Sequence, residues 1–296
     1  RQGYQPVYDA NVFRYQCPEV KSFLTSNAYF WMKKYHFDGI CFNDLASVLY
    51  LDYGRNEWVP NAYGGKENLE FVDFIKEINS KIKADFPGSI TVADIDAVWA
   101  DASDKNKDSL GFDFVWNNGF KKDFIGFVKS DPYARAGKLL TMLSGLDYAY
   151  NENYVLPLSA DVIEAGALKD FPCNLEENYA ALRAAYVYTM LYPGKKLFCP
   201  DLKAFVDNGG KKAKRTEFAV AFDAFMAEMS KLYKEEKLLY GFDEKAGSLE
   251  WVNHKADVAN VITFVRKSNK KNEILYVVAN FSNTEYEELK LVAPFA

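Results

Sequence analysis

Cysteine and histidine are scarce in this chain. Four cysteines (Cys17, Cys41, Cys173 and Cys199) are spread over 296 residues, and none forms a C-x-x-C pair. With only His36 and His254 beside them, no zinc-type ligand spacing exists, so no metal site and no cofactor is expected. The thiols read as buried and free, in a reducing compartment. Glycine (17) and proline (10) are too few for a collagen-like or low-complexity chain, and a 49% hydrophobic share rules out intrinsic disorder. No apolar run reaches the roughly 18 residues of a membrane span, and no signal peptide is visible. Basic charge is not in excess: 36 Lys and Arg stand against 41 Asp and Glu, so no global field recruits nucleic acid.

Aromatic residues are abundant. Phe (23), Tyr (20) and Trp (5) make up 16% of the chain. Such surfaces suit sugar rings, although most Phe and Tyr fill cores. Up to about residue 240, helical and strand-like stretches alternate. Pro18 opens a first helix with the stripe Val20, Phe23/Leu24, Ala28, Trp31 and Tyr35. Phe37–Asn43 reads as a strand, Asp44–Glu67 as a long loop, and Asn68–Lys83 as a helix striped by Leu69, Val72, Ile75, Ile78 and Ile82. Ser89–Ile95 and Tyr154–Ser159 follow as strands, with a helix over 117–129 between them. Asn174 and Glu177 form a capping box for a helix that stops before Pro193-Gly194. Lys196–Cys199 is a short strand, and Thr216 caps a helix striped by Phe218, Phe222, Phe225, Met229 and Leu232. After Phe242 only strands follow: Glu250–Asn253, Val261–Lys267, Ile274–Asn280 and Glu287–Val292, with Ser268–Asn272 as a hairpin connection. The expectation is an α/β unit over 1–241 followed by a small antiparallel β domain over 242–296. The pairs Lys195-Lys196 and Lys211-Lys212 read as solvated charges, and Trp99 and Trp116 as packing residues.

Several phrases are more specific. They are Phe37-Asp38-Gly39-Ile40, Ala46-Ser47-Val48-Leu49-Tyr50-Leu51-Asp52-Tyr53, Trp58-Val59-Pro60-Asn61, Gly64-Gly65-Lys66-Glu67-Asn68-Leu69-Glu70, Leu110-Gly111-Phe112-Asp113-Phe114 with Trp116-Asn117, Glu152-Asn153 with Val155-Leu156-Pro157-Leu158-Ser159, and Pro193-Gly194-Lys195-Lys196-Leu197-Phe198. In this order they resemble the bacterial-type 1,4-α-glucan branching enzymes of the α-amylase superfamily (glycoside hydrolase family 13), from about Val12 to about Phe281. The resemblance implies the C-terminal part of a (β/α)8 TIM barrel, strands four to eight, followed by a small antiparallel β domain. Strands four, five, seven and eight would end near Asn43, Asp94, Ser159 and Cys199. A barrel closes only with all its strands, and a chain starting at Arg1 is expected to be a fragment or half of a split protein. The missing N-terminal barrel half then lies in the same or another chain, within a larger assembly in a cytoplasmic or plastid-like compartment.

The resemblance also implies a chemistry, and the sequence departs from it. The family performs retaining transglycosylation with a carboxylate nucleophile on strand four and an acid/base on strand five, which must lie about 5–5.5 Å apart. Where the family reads D-G-L-R-V-D-A, this chain has Asp38-Gly39-Ile40-Cys41-Phe42-Asn43-Asp44. The orienting Arg is Cys41 and the nucleophile is Asn43, whose amide is a very poor nucleophile. At the acid/base position stands Asp94, on a stem one bond shorter than glutamate. The sugar-holding His-Asp pair becomes Ala160-Asp161, and Pro200-Asp201-Leu202 replaces a Gly-Glu-Phe-type loop. Asp44 would point away from the site, since adjacent strand residues face opposite ways, unless a bulge turns it. Tyr50, Tyr53, Trp58 and Asn61 read either as a glucan-stacking wall or as loop anchors. Three functions follow as expectations: a catalytically degenerate α-glucan binder or regulatory partner in glycogen or starch metabolism; an active branching enzyme or retaining glycosidase with rearranged carboxylates; or a barrel kept as an interaction scaffold.

Overall fold

The structure is a computed structural model that describes residues 3–103, 108–131, 133–159, 174–199, 217–253, 260–270 and 273–291. Ala160, Asp161, Cys173, Pro200-Asp201-Leu202, Lys211-Lys212, Thr216 and His254 lie outside the described residues. The chain divides into two compact units, Arg1–Asn118 with Asn151–Asn153, and Gly119–Tyr150 with Tyr154–Ala296.

The first unit opens with a hairpin, β1 (Tyr4–Gln5) against β2 (Ala10–Asn11). Helix α1 (Pro18–Tyr35) follows, with Pro18 in its first turn and His36 closing it in the left-handed region at φ 57°. Strand β3 (Gly39–Phe42), the short α2 (Ala46–Leu49), α3 (Leu69–Asp85), β4 (Ile90–Ala93) and β5 (Phe114–Trp116) complete the unit. The three strands are parallel, with Cys41 beside Val92 and Ala93 beside Val115. Gly39 is required by close approach: a Cβ there would meet the Ile90 side chain at 2.5 Å. Helix α3 buries Phe71, Phe74, Ile75, Ile78 and Ile82 on one face, the pattern its 3.6-residue spacing dictates. Its buried Asn79 donates to Leu110 O at 2.8 Å, which satisfies both groups.

Helix α1 is different. Among its residues only Ala28 and Met32 are buried. Phe23, Trp31 and Tyr35, three members of the expected stripe, are exposed, as is Phe37 beyond its end. Trp31 and Phe37 stack on each other with centroids 5.8 Å apart.

The second unit contains α4 (Asn118–Val128), which begins at the boundary, α5 (Leu139–Tyr148), β6 (Tyr154–Ser159), α6 (Leu175–Leu191), β7 (Lys195–Cys199), α7 (Glu217–Glu235) and the strands β8 (Leu249–Asn253), β9 (Val261–Lys267) and β10 (Ile274–Asn280). Strands β6 and β7 are parallel, whereas β8, β9 and β10 form an antiparallel sheet in that order. The capping box forms as expected: Asn174 accepts from Glu177 N at 3.0 Å, and Glu177 accepts from Asn174 N at 3.1 Å. The core is aromatic, with Phe120, Phe124, Phe127, Tyr179, Tyr186, Tyr188, Tyr192, Phe222 and Phe264 all buried.

Three further expectations are corrected. Cys41 is exposed and Cys17 half-buried, so neither is a buried thiol. No strand forms over the described part of 287–292, where exposed acidic residues find no partner row. Lys196 is not solvated: its ammonium is buried against Asp243 at 3.4 Å. Among the described residues no helix is long and apolar enough to cross a membrane.

Candidate functional site at the strand ends

The site follows from strand alternation and register. Phe42 pairs with Ala93 in the parallel ladder, and Asp94 N donates to Phe42 O at 2.9 Å. Asn43 and Asp94 therefore leave the C-terminal ends of neighbouring strands at the same level, where backbones run about 4.8 Å apart. Thr91 and Ala93 on β4 are fully buried, whereas Cys41 on β3 and Asn43 just beyond its end are exposed. Asn43 and Asp94 are thus brought together, an amide beside a carboxylate.

Hydrogen bonds order this pair. Cys41 Sγ donates to Asn43 Oδ1 at 3.2 Å. Asn118 Nδ2 donates to Asp94 Oδ1 at 2.8 Å and fixes the carboxylate. Asp94 forms no ion pair among the described residues. The field of that carboxylate reaches Cys41. Desolvation first, and the negative Asp94 second, push the thiol pKa up to about 11. Cys41 is accessible at its surface yet embedded among enough atoms to feel this; it stays a neutral thiol at physiological pH.

Asp44 leaves the strand in the left-handed region at φ 54°. The alternation argument does not apply to it, because β3 ends at Phe42. Its carboxylate accepts from the Tyr8 hydroxyl at 3.3 Å. Desolvation, then the charge of Asp44 and the neighbouring Tyr53, push the Tyr8 pKa up to about 12. The hairpin that carries Tyr8 is tied down by Gln5, whose amide donates to Ser47 O at 3.0 Å and to Tyr53 O at 3.3 Å.

The long loop after β3 divides the expected wall. Tyr50 and Trp58 line a cleft of about 540 Å³ with Arg14 and Arg55. Tyr50 is held by a hydroxyl bond to Val98 O and by Trp99, 5.3 Å away between centroids. Asn61 is buried and committed to its own turn: it donates to Glu67 O at 3.0 Å and accepts from Tyr63 N and Gly65 N, each at 2.9 Å. Asn43 and Cys41 line a second, apolar cleft of about 780 Å³ with Trp31, Phe37 and Ile40. The two clefts share Phe13, Tyr15 and Val48. Sequence reasoning missed Asn118 and Tyr8; a short amide just past a strand end was the signal for the first, and nothing local marked the second. Among the described residues no three His, Cys, Asp or Glu side chains could hold a metal ion.

Comparison with known proteins decides the family. The chain is 33% identical over 317 residues to the 1,4-alpha-glucan branching enzyme GlgB of Albidiferax ferrireducens, covering 100% of this chain and 49% of that protein. It is 34% identical over 311 residues to GlgB of Aquifex aeolicus, covering 99% and 48%. The chain belongs to the α-amylase superfamily and is similar to glucan branching enzymes along its whole length. Residues 251–296 match the family model of the alpha amylase C-terminal all-beta domain. Among solved structures, an α-amylase from Geobacillus thermoleovorans superimposes with a TM-score of 0.62 at 12% identity, over 93% of this chain and 55% of that one. A pullulanase from Bacillus acidopullulyticus gives 0.62 at 13%, over 96% and 36%. These likenesses establish the fold: part of a TIM barrel with an antiparallel β domain. The chain spans about half the length of the curated relatives it matches.

Proposed function

We propose that this chain is part of a branching-enzyme-like protein that holds α-glucan at its strand ends without cleaving it. The observation that carries the reading is the side-by-side placement of Asn43 and Asp94 on neighbouring parallel strands. Retaining transfer needs two carboxyl groups there, one to form the glycosyl ester and one to move the proton. One carboxylate flanked by the amides of Asn43 and Asn118 instead offers acceptors and donors at hydroxyl spacing, a set suited to binding a sugar diol. The Tyr50 and Trp58 cleft, which shares Phe13, Tyr15 and Val48 with the cleft that Asn43 lines, would supply an aromatic wall.

The rest of a barrel, in the same or another chain, would cover the open face of the first unit. Strand β3 pairs on one side only among the described residues, and Phe23 (62% exposed) and Tyr35 (55%) on the preceding helix and Phe37 (52%) just before the strand are exposed. Exposed aromatics at an unpaired edge mark a surface that needs a partner.

The full-length natural protein should retard on glycogen or amylopectin affinity gels, lose that retardation on Asp94→Asn, and leave the absorbance of iodine-stained amylose unchanged. Turnover that survives Asn43→Ala but not Asp94→Ala would establish the rearranged-carboxylate enzyme instead. Absence of retardation by either polysaccharide would leave the interaction scaffold.

A further inference from the structure

A second polar cluster lies away from the strand ends, inside the second unit. Arg266 on β9 is fully buried, at 0% side-chain exposure, and its Nη2 donates to Asp243 Oδ1 at 2.5 Å. A weaker contact runs from Nη2 to Leu238 O at 3.4 Å. Among the described residues Nε and Nη1 have no acceptor. Lys196 on β7 is buried beside it, with Nζ donating to Tyr192 O at 2.6 Å, to Gly194 O, and to Asp243 Oδ2 at 3.4 Å. The Tyr233 ring lies 5.7 Å from the same ammonium. Two buried cations thus share one carboxylate. Buried charges are ordinarily paired and buried donors ordinarily satisfied. Here one positive charge and two guanidinium donors are left over.

We propose that the Lys196–Asp243–Arg266 cluster binds a small monovalent anion of halide type. One negative charge balances the excess, and a spherical acceptor takes the free guanidinium N–H groups without the directional demands of a carboxylate. A water molecule would satisfy the donors but leave the charge; a divalent oxyanion would overcompensate it. The shortage of negative charge is also felt by Lys196, whose pKa burial pulls down from 10.5 to about 8. The occupant would join β7 and the turn before it to Asp243 and the antiparallel sheet, so its role is to hold the β domain on the parallel strands of the same unit.

The test uses the full-length protein. Thermal unfolding is followed in sodium chloride, sodium bromide and sodium gluconate at equal ionic strength. The halides should raise the midpoint saturably, by about 2–4 °C, and gluconate should not. Lys196→Met removes the excess charge and should abolish the difference between the salts. Crystals grown in bromide should show an anomalous peak within hydrogen-bond distance of Arg266, which decides the matter even where the variant fails to fold. Equal midpoints in all three salts, or an ordered water with no anomalous signal beside Arg266, would overturn the proposal.

Discussion

The Cys41 thiol reports the field at the strand ends, and its reactivity can be computed before it is measured. Its pKa of about 11 leaves it about 1% thiolate at pH 9, so alkylation there should be slow. Asn43→Asp places a new negative charge where the thiol now donates to an amide oxygen at 3.2 Å. A unit charge at 4 Å acts with about 4 kcal/mol near a protein surface. Because Cys41 is solvent-accessible, screening reduces this to about 1–2 kcal/mol. The thiolate fraction should fall roughly tenfold, since about 1.4 kcal/mol is a factor of ten. Asp94→Asn acts oppositely: it removes the charge that raises the pKa, while the larger effect of burial remains, so alkylation should speed up several-fold and stay below that of an unperturbed thiol. Peptide-resolved mass spectrometry after timed iodoacetamide treatment measures both, with Cys17, hydrogen-bonded to Glu19, as internal control. A Cys41 rate unchanged within about twofold in the Asp94→Asn protein would refute the placement of thiol, amide and carboxylate in one site.

Asn43→Asp alone should not create branching activity, because a second carboxylate beside Asp94 without the family's arginine raises one pKa of the pair; only with Cys41→Arg and Asp94→Glu should a shift of amylose–iodine absorbance appear. Lys196 makes stability pH-dependent. Between pH 8 and about 10 the folded state has lost a proton that the unfolded chain keeps, so stability rises with pH by up to about 3 kcal/mol. Lys196→Met should flatten this rise in denaturant titrations, although Asp243, Arg266, Lys195, Tyr233 and Tyr240 share the surroundings. Above about pH 10 the trend reverses, because the buried Tyr188 and Tyr192 phenols stay protonated in the fold while the unfolded ones ionise. Glu152→Ala should cost about 2–3 kcal/mol by urea unfolding, since this buried carboxylate accepts from Ala102 N at 2.9 Å, Ser103 N at 2.8 Å and Ser103 Oγ.

Local chemistry explains which parts of this molecule were readable from its residues. The capping box at Asn174 and the β9–β10 hairpin depend on neighbours a few residues apart, and each stands where expected; on α3 the expected Ile75, Ile78 and Ile82 are buried, but Phe71 and Phe74 complete the buried face in place of Leu69 and Val72. The helix Leu139–Tyr148 escaped notice because it has no capping side chain at Lys138 and no sharp period. The three-residue strand Phe114–Trp116 is too short to alternate visibly. Lys196 was misread because a lysine beside a second lysine looks solvated; what buries it is Asp243, 47 residues away. The candidate site divides in the same way. Motif position was enough to put Asn43 and Asp94 side by side, whereas the bonds from Asn118 and Tyr8 depend on the path of the backbone after β5 and through the N-terminal hairpin. Asp44 shows the limit most directly: alternation forecasts its direction only while the strand lasts, and the strand has ended one residue before Asn43.

The exposed face of α1 supplies a last prediction. A helix that fully buries only Ala28 and Met32 leaves several large apolar side chains exposed. Phe23, Phe30, Trp31, Tyr35 and Phe37 are all exposed there, and a fully buried aromatic side chain is worth about 1.5–3 kcal/mol. Each is about half exposed, so covering three or four of them would contribute about 2–6 kcal/mol, a large fraction of a typical domain's stability. The chain as it stands should bind a hydrophobic dye strongly and show low hydrogen-exchange protection along 18–35. In the full-length protein, with the rest of a barrel against β3, dye binding should fall and protection over α1 should approach that of α3. A helix α1 equally unprotected in both would mean that this face is not a barrel contact, and would move the search for its partner to another molecule.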